Sequence, residues 1–331
     1  MDFKLKLSDE EFQRLMSEID ERMVSENVRI PARQIRGWML FCEKQQLHGI
    51  SFTHPISSKV MEWFHARYGS RINLNFDLGH SVEIIRGDLL HTRCFTFFGR
   101  LHVICHPALM GRPMTGPAVN QPAVVNLLDQ AEGMTVAFAR SLTLEERQTM
   151  LRDFVASQVY LSRIADAGTQ ALVPEARADL RESVDHMTRH EGRFGMSKWA
   201  SLQAVEKFLK AYILQQGTAP QRIHVLEELA SKAESLGLRA IRRTVLNLAV
   251  CSPSARYDAS SVSRGEAVEG YRAAVSICGD VATQLNGRSA WRTEVASEGI
   301  FAVKELTEEV PTILLRRFSV KSPLHAGTSK S

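Results

Sequence analysis

Long hydrophobic runs are missing from this 331-residue chain. Nowhere do eighteen apolar residues follow one another, so no membrane-spanning helix is expected. Cysteine is sparse as well. The five residues, Cys42, Cys94, Cys105, Cys251 and Cys278, are scattered and never spaced Cys-x-x-Cys. That spacing argues against zinc knuckles and a disulfide framework and fits reduced thiols in a cytoplasmic protein. Neither charge sign dominates, and a net charge of +4 permits an acidic partner without announcing one. The opening MDFKLKLSDEEF has acids at once and no apolar core, so a secretion signal is not expected. Several motifs are absent: the GxxxxGK[ST] phosphate loop, the GxSxG elbow, a GxGxxG after a strand, and HExxH. No cofactor and no metal site are therefore expected.

What is present is an ordinary globular composition, 44% hydrophobic and 24% charged, in a chain long enough for two domains. Ser8 with Glu11 forms a capping box ahead of an apolar stripe at Phe12, Leu15, Met16 and Ile19, which predicts a first helix. A second helix is expected after Pro31, and a third over PISSKVMEWFHARYG, ending at Gly69. The period then changes to apolar and polar alternation, punctuated by Gly79, Gly87 and Gly99, which predicts three or four short antiparallel strands. Residues 1–106 thus read as a small α+β domain. Residues 107–174 read as a linker and a connecting helix capped by Thr143 and Glu146. Residues 175–286 carry closely spaced amphipathic segments, as in an antiparallel helical bundle. In 287–331, GIFAVKELTEEVPTILLRRFSV predicts a β-hairpin whose partner is the earlier sheet, followed by a basic, disordered tail. The expected fold class is α+β, with an all-α bundle after the α+β domain.

The stretch GRFGMSKWASLQAVEKFLKAYILQQGTAPQRIHVLEEL resembles the HEPN domain. The resemblance rests on QAVEKFLKA at Gln203 to Ala211, a short loop and a histidine before LEEL. Further on, SARY at Ser254 to Tyr257 precedes EAVEGYRAAVSI. It covers residues 175–286 and extends to no part of residues 1–170. It implies a helical bundle that holds a nucleotide or RNA, paired as a homodimer through the bundle.

Candidate ligand-holding residues follow. Arg256 supplies a guanidinium suited to phosphate, and Tyr257 beside it supplies a ring on which a base can stack. Lys210 stands four residues after Glu206 and is expected to pair with it at the surface. Many proteins resembling this domain are metal-independent ribonucleases built on Arg-x4-6-His. In that chemistry histidine shuttles the proton and arginine neutralises phosphoryl charge. Three such spacings occur, Arg86 to His91, Arg100 to His106 and Arg181 to His186, no more than chance delivers. No histidine stands at the later position where the family carries its motif. Catalysis would then fall to an atypical histidine: His186, His190 or His224. The expectation is a nucleotide- or RNA-binding module with a sensing role in stress or defence. The alternatives are a ribonuclease and a structural dimerisation module.

Overall fold

The computed structural model describes residues 7–26, 28, 30–47, 55–72, 77–97, 99–111, 123–168, 171–189, 191–220, 224–257, 261–285, 291–301 and 310–319. The chain divides into two compact units, one of residues 1–76 with 118–120 and one of the remainder. The tail 320–331 and His190 lie outside the described residues.

The first unit is helical, with α1 (Asp9–Ser25), α2 (Ile30–Lys44) and α3 (Pro55–Tyr68). α1 begins on the Ser8 and Glu11 capping box, with both reciprocal hydrogen bonds formed. Its stripe, Phe12, Met16, Ile19 and Met23, is buried against Trp38, Phe41, Val60 and Phe64. Asp20 faces this interior at 1% exposure. It accepts from the Tyr68 hydroxyl at 2.6 Å and from Arg67 Nε at 2.7 Å, so the buried charge is matched.

The second unit begins with strands β1 (Asp77–Ile85), β2 (Asp88–Phe95) and β3 (Gly99–Ile104). These strands were expected to complete the N-terminal domain. They lie instead in the same unit as the bundle. The reason is burial: the β1–β2 hairpin presents Val82, Leu90 and Cys94, which join one core with Met150, Phe154 and Leu161. Those last three belong to α6 (Leu144–Asp166), which opens on the Thr143 and Glu146 capping box. Between β3 and α6 come β4 (Ala123–Asn126), α4 (Leu127–Gln130), β5 (Ala131–Glu132) and α5 (Val136–Ser141).

The helices of the bundle are α7 (Val173–Thr188), α8 (Phe194–Gln215), α9 (Leu226–Ser235), α10 (Arg243–Ala249) and α11 (Arg264–Ala282). α11 starts on a third capping box, Ser263 with Glu266. Strands β6 (Trp291–Phe301) and β7 (Val310–Ser319) form the C-terminal hairpin.

One sheet runs β1-β2-β5 and the other β4-β3-β7-β6. The C-terminal hairpin therefore does join the earlier strands, β7 lying antiparallel to β3, while β4 is parallel to β3. β1 is an edge strand, and α11 serves that edge. Tyr271 donates its hydroxyl to the His80 carbonyl at 2.6 Å, and Arg272 Nε donates to Val82 at 2.9 Å. Outward carbonyls that would otherwise invite another strand are thereby satisfied.

α8 is the central helix of the bundle. Val205, Phe208, Leu209, Tyr212 and Ile213 are buried, and it packs on α7, α9 and α11. At Gly195 its backbone lies against the turn Pro253–Arg256, and a Cβ there would sit 2.0 Å from the Ala255 carbonyl oxygen. No helix in either unit is long and apolar enough to cross a membrane, among the described residues.

Gly195→Ala is expected to cost about 3 kcal/mol or more, because backbone rather than a movable side chain stands in the way. Gly265, also helical, has open space around its missing Cβ. Gly265→Ala should leave the midpoint of urea unfolding unchanged or slightly higher, while Gly195→Ala lowers it.

Candidate functional site

The approach at Gly195 builds the site. With no side chain between them, the turn Pro253–Arg256 rests on the first turn of α8. The turn itself is fixed locally: Ser252 accepts from the Ser254 amide, and Pro253 holds the first helical position. Trp199, four residues after Gly195, lies on the same face of α8. Arg256 consequently reaches across it, its guanidinium carbon 4.4 Å from the Trp199 ring centre and 5.2 Å from that of Tyr257. Such placement is the cation–π arrangement.

Arg256 forms no ion pair among the described residues; its one hydrogen bond there is a long 3.4 Å contact from Nε to Pro253 O. Glu266 is occupied in the α11 capping box. Tyr257 is 84% exposed, its ring open to a ligand. Of the surroundings, Arg264 stands over Phe194 at 5.7 Å and donates to the Gly87 carbonyl. Both residues also border a groove of about 430 Å³ with His91, Glu132 and Arg189.

Further along the same face of α8 come Gln203, Glu206 and Lys210, at spacings of four, three and four from Trp199. Lys210 Nζ does meet Glu206 Oε1, at 2.7 Å, but their side chains are 15% and 6% exposed. The pair expected at the surface is thus largely buried, because α8 is enclosed by its neighbours and not laid over them. His224 joins the same carboxylate, Nδ1 to Oε1 at 3.0 Å, with its ring 74% exposed. Lys210 and His224 therefore share one acid, which offsets the lysine charge. Lys210 is about 16 Å along the helix from Trp199.

His186 sits elsewhere, in α7, at 5% exposure with neither ring nitrogen hydrogen-bonded. Glu182 Oε1 is 3.4 Å from Nε2, close enough for attraction but outside hydrogen-bond geometry. The Arg-x4-6-His spacings do not assemble. Arg86 binds Glu146 through two contacts of 2.7 Å, whereas His91 lies 3.4 Å from Glu132. His106 is buried, and its Nδ1 accepts from the Ala108 amide. Arg181 is exposed where His186 is buried. Among the described residues no three His, Cys, Asp or Glu side chains gather as a metal ion would need. The five cysteines are unpaired, and burial raises the thiols of Cys94 and Cys278 well above their ordinary range.

Trp199 was missed by sequence reasoning. Its position in a helical repeat makes it resemble a core residue, and only the arrival of a distant turn gives it a second role. Its spacing from Glu206 and Lys210 was the available signal.

The fold and this surface define a helical bundle with a cation and aromatic platform at one end. Residues 169–284 match the family model of the HEPN domain. The C-terminal part of the chain thus carries a HEPN domain, and the N-terminal region has no family match. Neither a curated protein nor a solved structure matches the chain.

Removing the shared acid should destabilise the bundle. Glu206→Gln leaves the Lys210 ammonium largely buried without its counter-charge and is expected to cost roughly 3 kcal/mol in urea unfolding. An unchanged midpoint would mean that Lys210 swings out to water.

Proposed function

We propose that the second unit binds single-stranded RNA or a nucleotide on the Trp199, Arg256 and Tyr257 platform. The observation that carries this reading is a guanidinium held over two rings with no acid among the described residues paired to it, beside a tyrosine open to solvent. Rings accept stacked bases whatever their identity, and a guanidinium answers a phosphate with paired hydrogen bonds. The HEPN match supports a nucleotide- or RNA-related role. Glu206 tempers Lys210 as a phosphate ligand, so Arg256 is the principal cation of the reading. A second copy of the chain fits the same end, where Leu248 and Val250 are 41% and 46% exposed. In this reading the protein is a binding and sensing module.

Fluorescence anisotropy with a labelled single-stranded RNA tests it in the full chain. Arg256→Ala is expected to weaken binding roughly tenfold and to flatten the salt dependence by about one charge. Tyr257→Ala should weaken it by a similar factor with the salt dependence kept. Unchanged affinity in both variants contradicts the reading.

One observation favours a second reading, a metal-independent ribonuclease. Glu206 holds His224 by Nδ1, and the ring is largely exposed, the orientation a carboxylate gives a general base. Incubation with RNA in EDTA decides it. Cleavage that disappears in His224→Ala supports the ribonuclease, whereas RNA left whole by the wild type, or cleavage kept by the variant, rejects it.

A further inference from the structure

A pocket of about 220 Å³ lies between the segment 238–242 that joins α9 to α10, the start of α10 and the last turns of α11. Its floor is apolar: Leu238, Ile277 and Val281 are buried there, and Ile241 and Val245 are half-buried. Two arginines of the segment, Arg239 and Arg242, line it as well. Both are exposed, and neither side chain forms an ion pair or a hydrogen bond among the described residues. Ser276 of α11, half-buried in the lining, likewise makes no side-chain hydrogen bond there.

Other groups hold the segment in place. The Arg239 amide donates to Gln284 Oε1 at 2.9 Å, and the Ile241 amide donates to Glu234 Oε1 at 2.8 Å. Arg243, the next residue along, takes the neighbouring acids, Glu227 at 2.6 Å and Glu234 at 2.7 Å. Asp280, the acid of the lining, pairs with Arg163 at 3.1 Å. The C-terminus of α11 adds about half a negative charge. Two whole unmatched guanidinium charges outweigh it, so the pocket favours an anion. A backbone fixed from both sides, with its guanidiniums left uncommitted, is preorganised for that ligand.

We propose that this pocket binds a small organic carboxylate, with its apolar body on the floor and its carboxylate on Arg239 and Arg242. A guanidinium answers a carboxylate with two parallel hydrogen bonds, and the Ser276 hydroxyl offers a further donor. The volume falls below the roughly 300 Å³ at which sites for drug-sized ligands begin, which suits a single ring or a short branched chain and leaves no room for a whole nucleotide. Inorganic phosphate leaves the apolar floor unused, and a neutral ring leaves both charges unanswered.

Both halves of such a ligand contribute. A charge-assisted pair is worth roughly tenfold or more in affinity, and covering one ring with apolar side chains adds a similar factor. A ligand with only one of the two features therefore binds at least about tenfold more weakly. The pocket shares no residue with the Trp199, Arg256 and Tyr257 platform, and the proposal does not rest on RNA binding.

Saturation-transfer NMR on the full chain tests the proposal without any RNA. Phenylacetate is the probe, 2-phenylethanol its neutral counterpart, and acetate and inorganic phosphate the anions without an apolar body. Phenylacetate is expected to bind at least about tenfold more tightly than each of the other three. The double variant Arg239→Ala/Arg242→Ala should bring phenylacetate down to the level of 2-phenylethanol. Both arginines are exposed and unpaired, so its melting temperature should stay that of the wild type. Val245→Trp, which fills the pocket from α10, should abolish phenylacetate binding, and Arg256→Ala should leave it unchanged. No phenylacetate binding, equal binding of 2-phenylethanol, acetate or phosphate, or unchanged affinity in the double variant would each overturn the proposal. Loss of binding in Arg256→Ala would place the ring on the platform and overturn it too. Should the double variant not fold, phenylacetate binding kept by Val245→Trp overturns it as well.

Discussion

Between α8 and the turn at Pro253–Arg256 there is room for a hydrogen atom but not for a methyl group, and Gly195 is the residue that meets this limit. From that approach follows the position of Arg256 over Trp199, and from Arg256 the platform with Tyr257. The helix beneath is held by apolar burial on several sides, which contributes most of its stability. Steric exclusion therefore sets the geometry, and burial supplies the free energy that maintains it.

The bundle is not independent of the sheets around it. α11 contributes Tyr271 and Arg272 to the carbonyls of β1, while α6 and the β1–β2 hairpin share one apolar core. Arg317 of β7 binds Asp166 at the end of α6 at 2.7 Å. A change in the hairpin is thus felt by α11 and α6.

Local features were legible in the sequence, and distant ones were not. Three capping boxes, at Ser8, Thr143 and Ser263, marked three helix starts because their hydrogen bonds close within four residues. The resemblance in Gln203 to Ala211 found the HEPN domain, and the ion pair of Glu206 with Lys210 followed from spacing. The burial of that pair did not, since it depends on what α7, α9 and α11 enclose. The strands at 77–104 looked like part of the first domain because they follow its helices closely. Their real partners, β7 and the apolar faces of α6 and α11, come much later in the chain. Trp199 was invisible as a site residue for the same reason: it needs a distant turn above it.

Photo-crosslinking of the full chain to RNA carrying 4-thiouridine, followed by mass spectrometry of the joined peptides, addresses the central claim most directly. If the platform binds RNA, crosslinks fall on the peptides of Trp199 and Tyr257 and disappear when Arg256 is replaced by alanine. Crosslinks confined to residues 1–76, or to strands β3 and β7, would place RNA away from the platform and contradict the account.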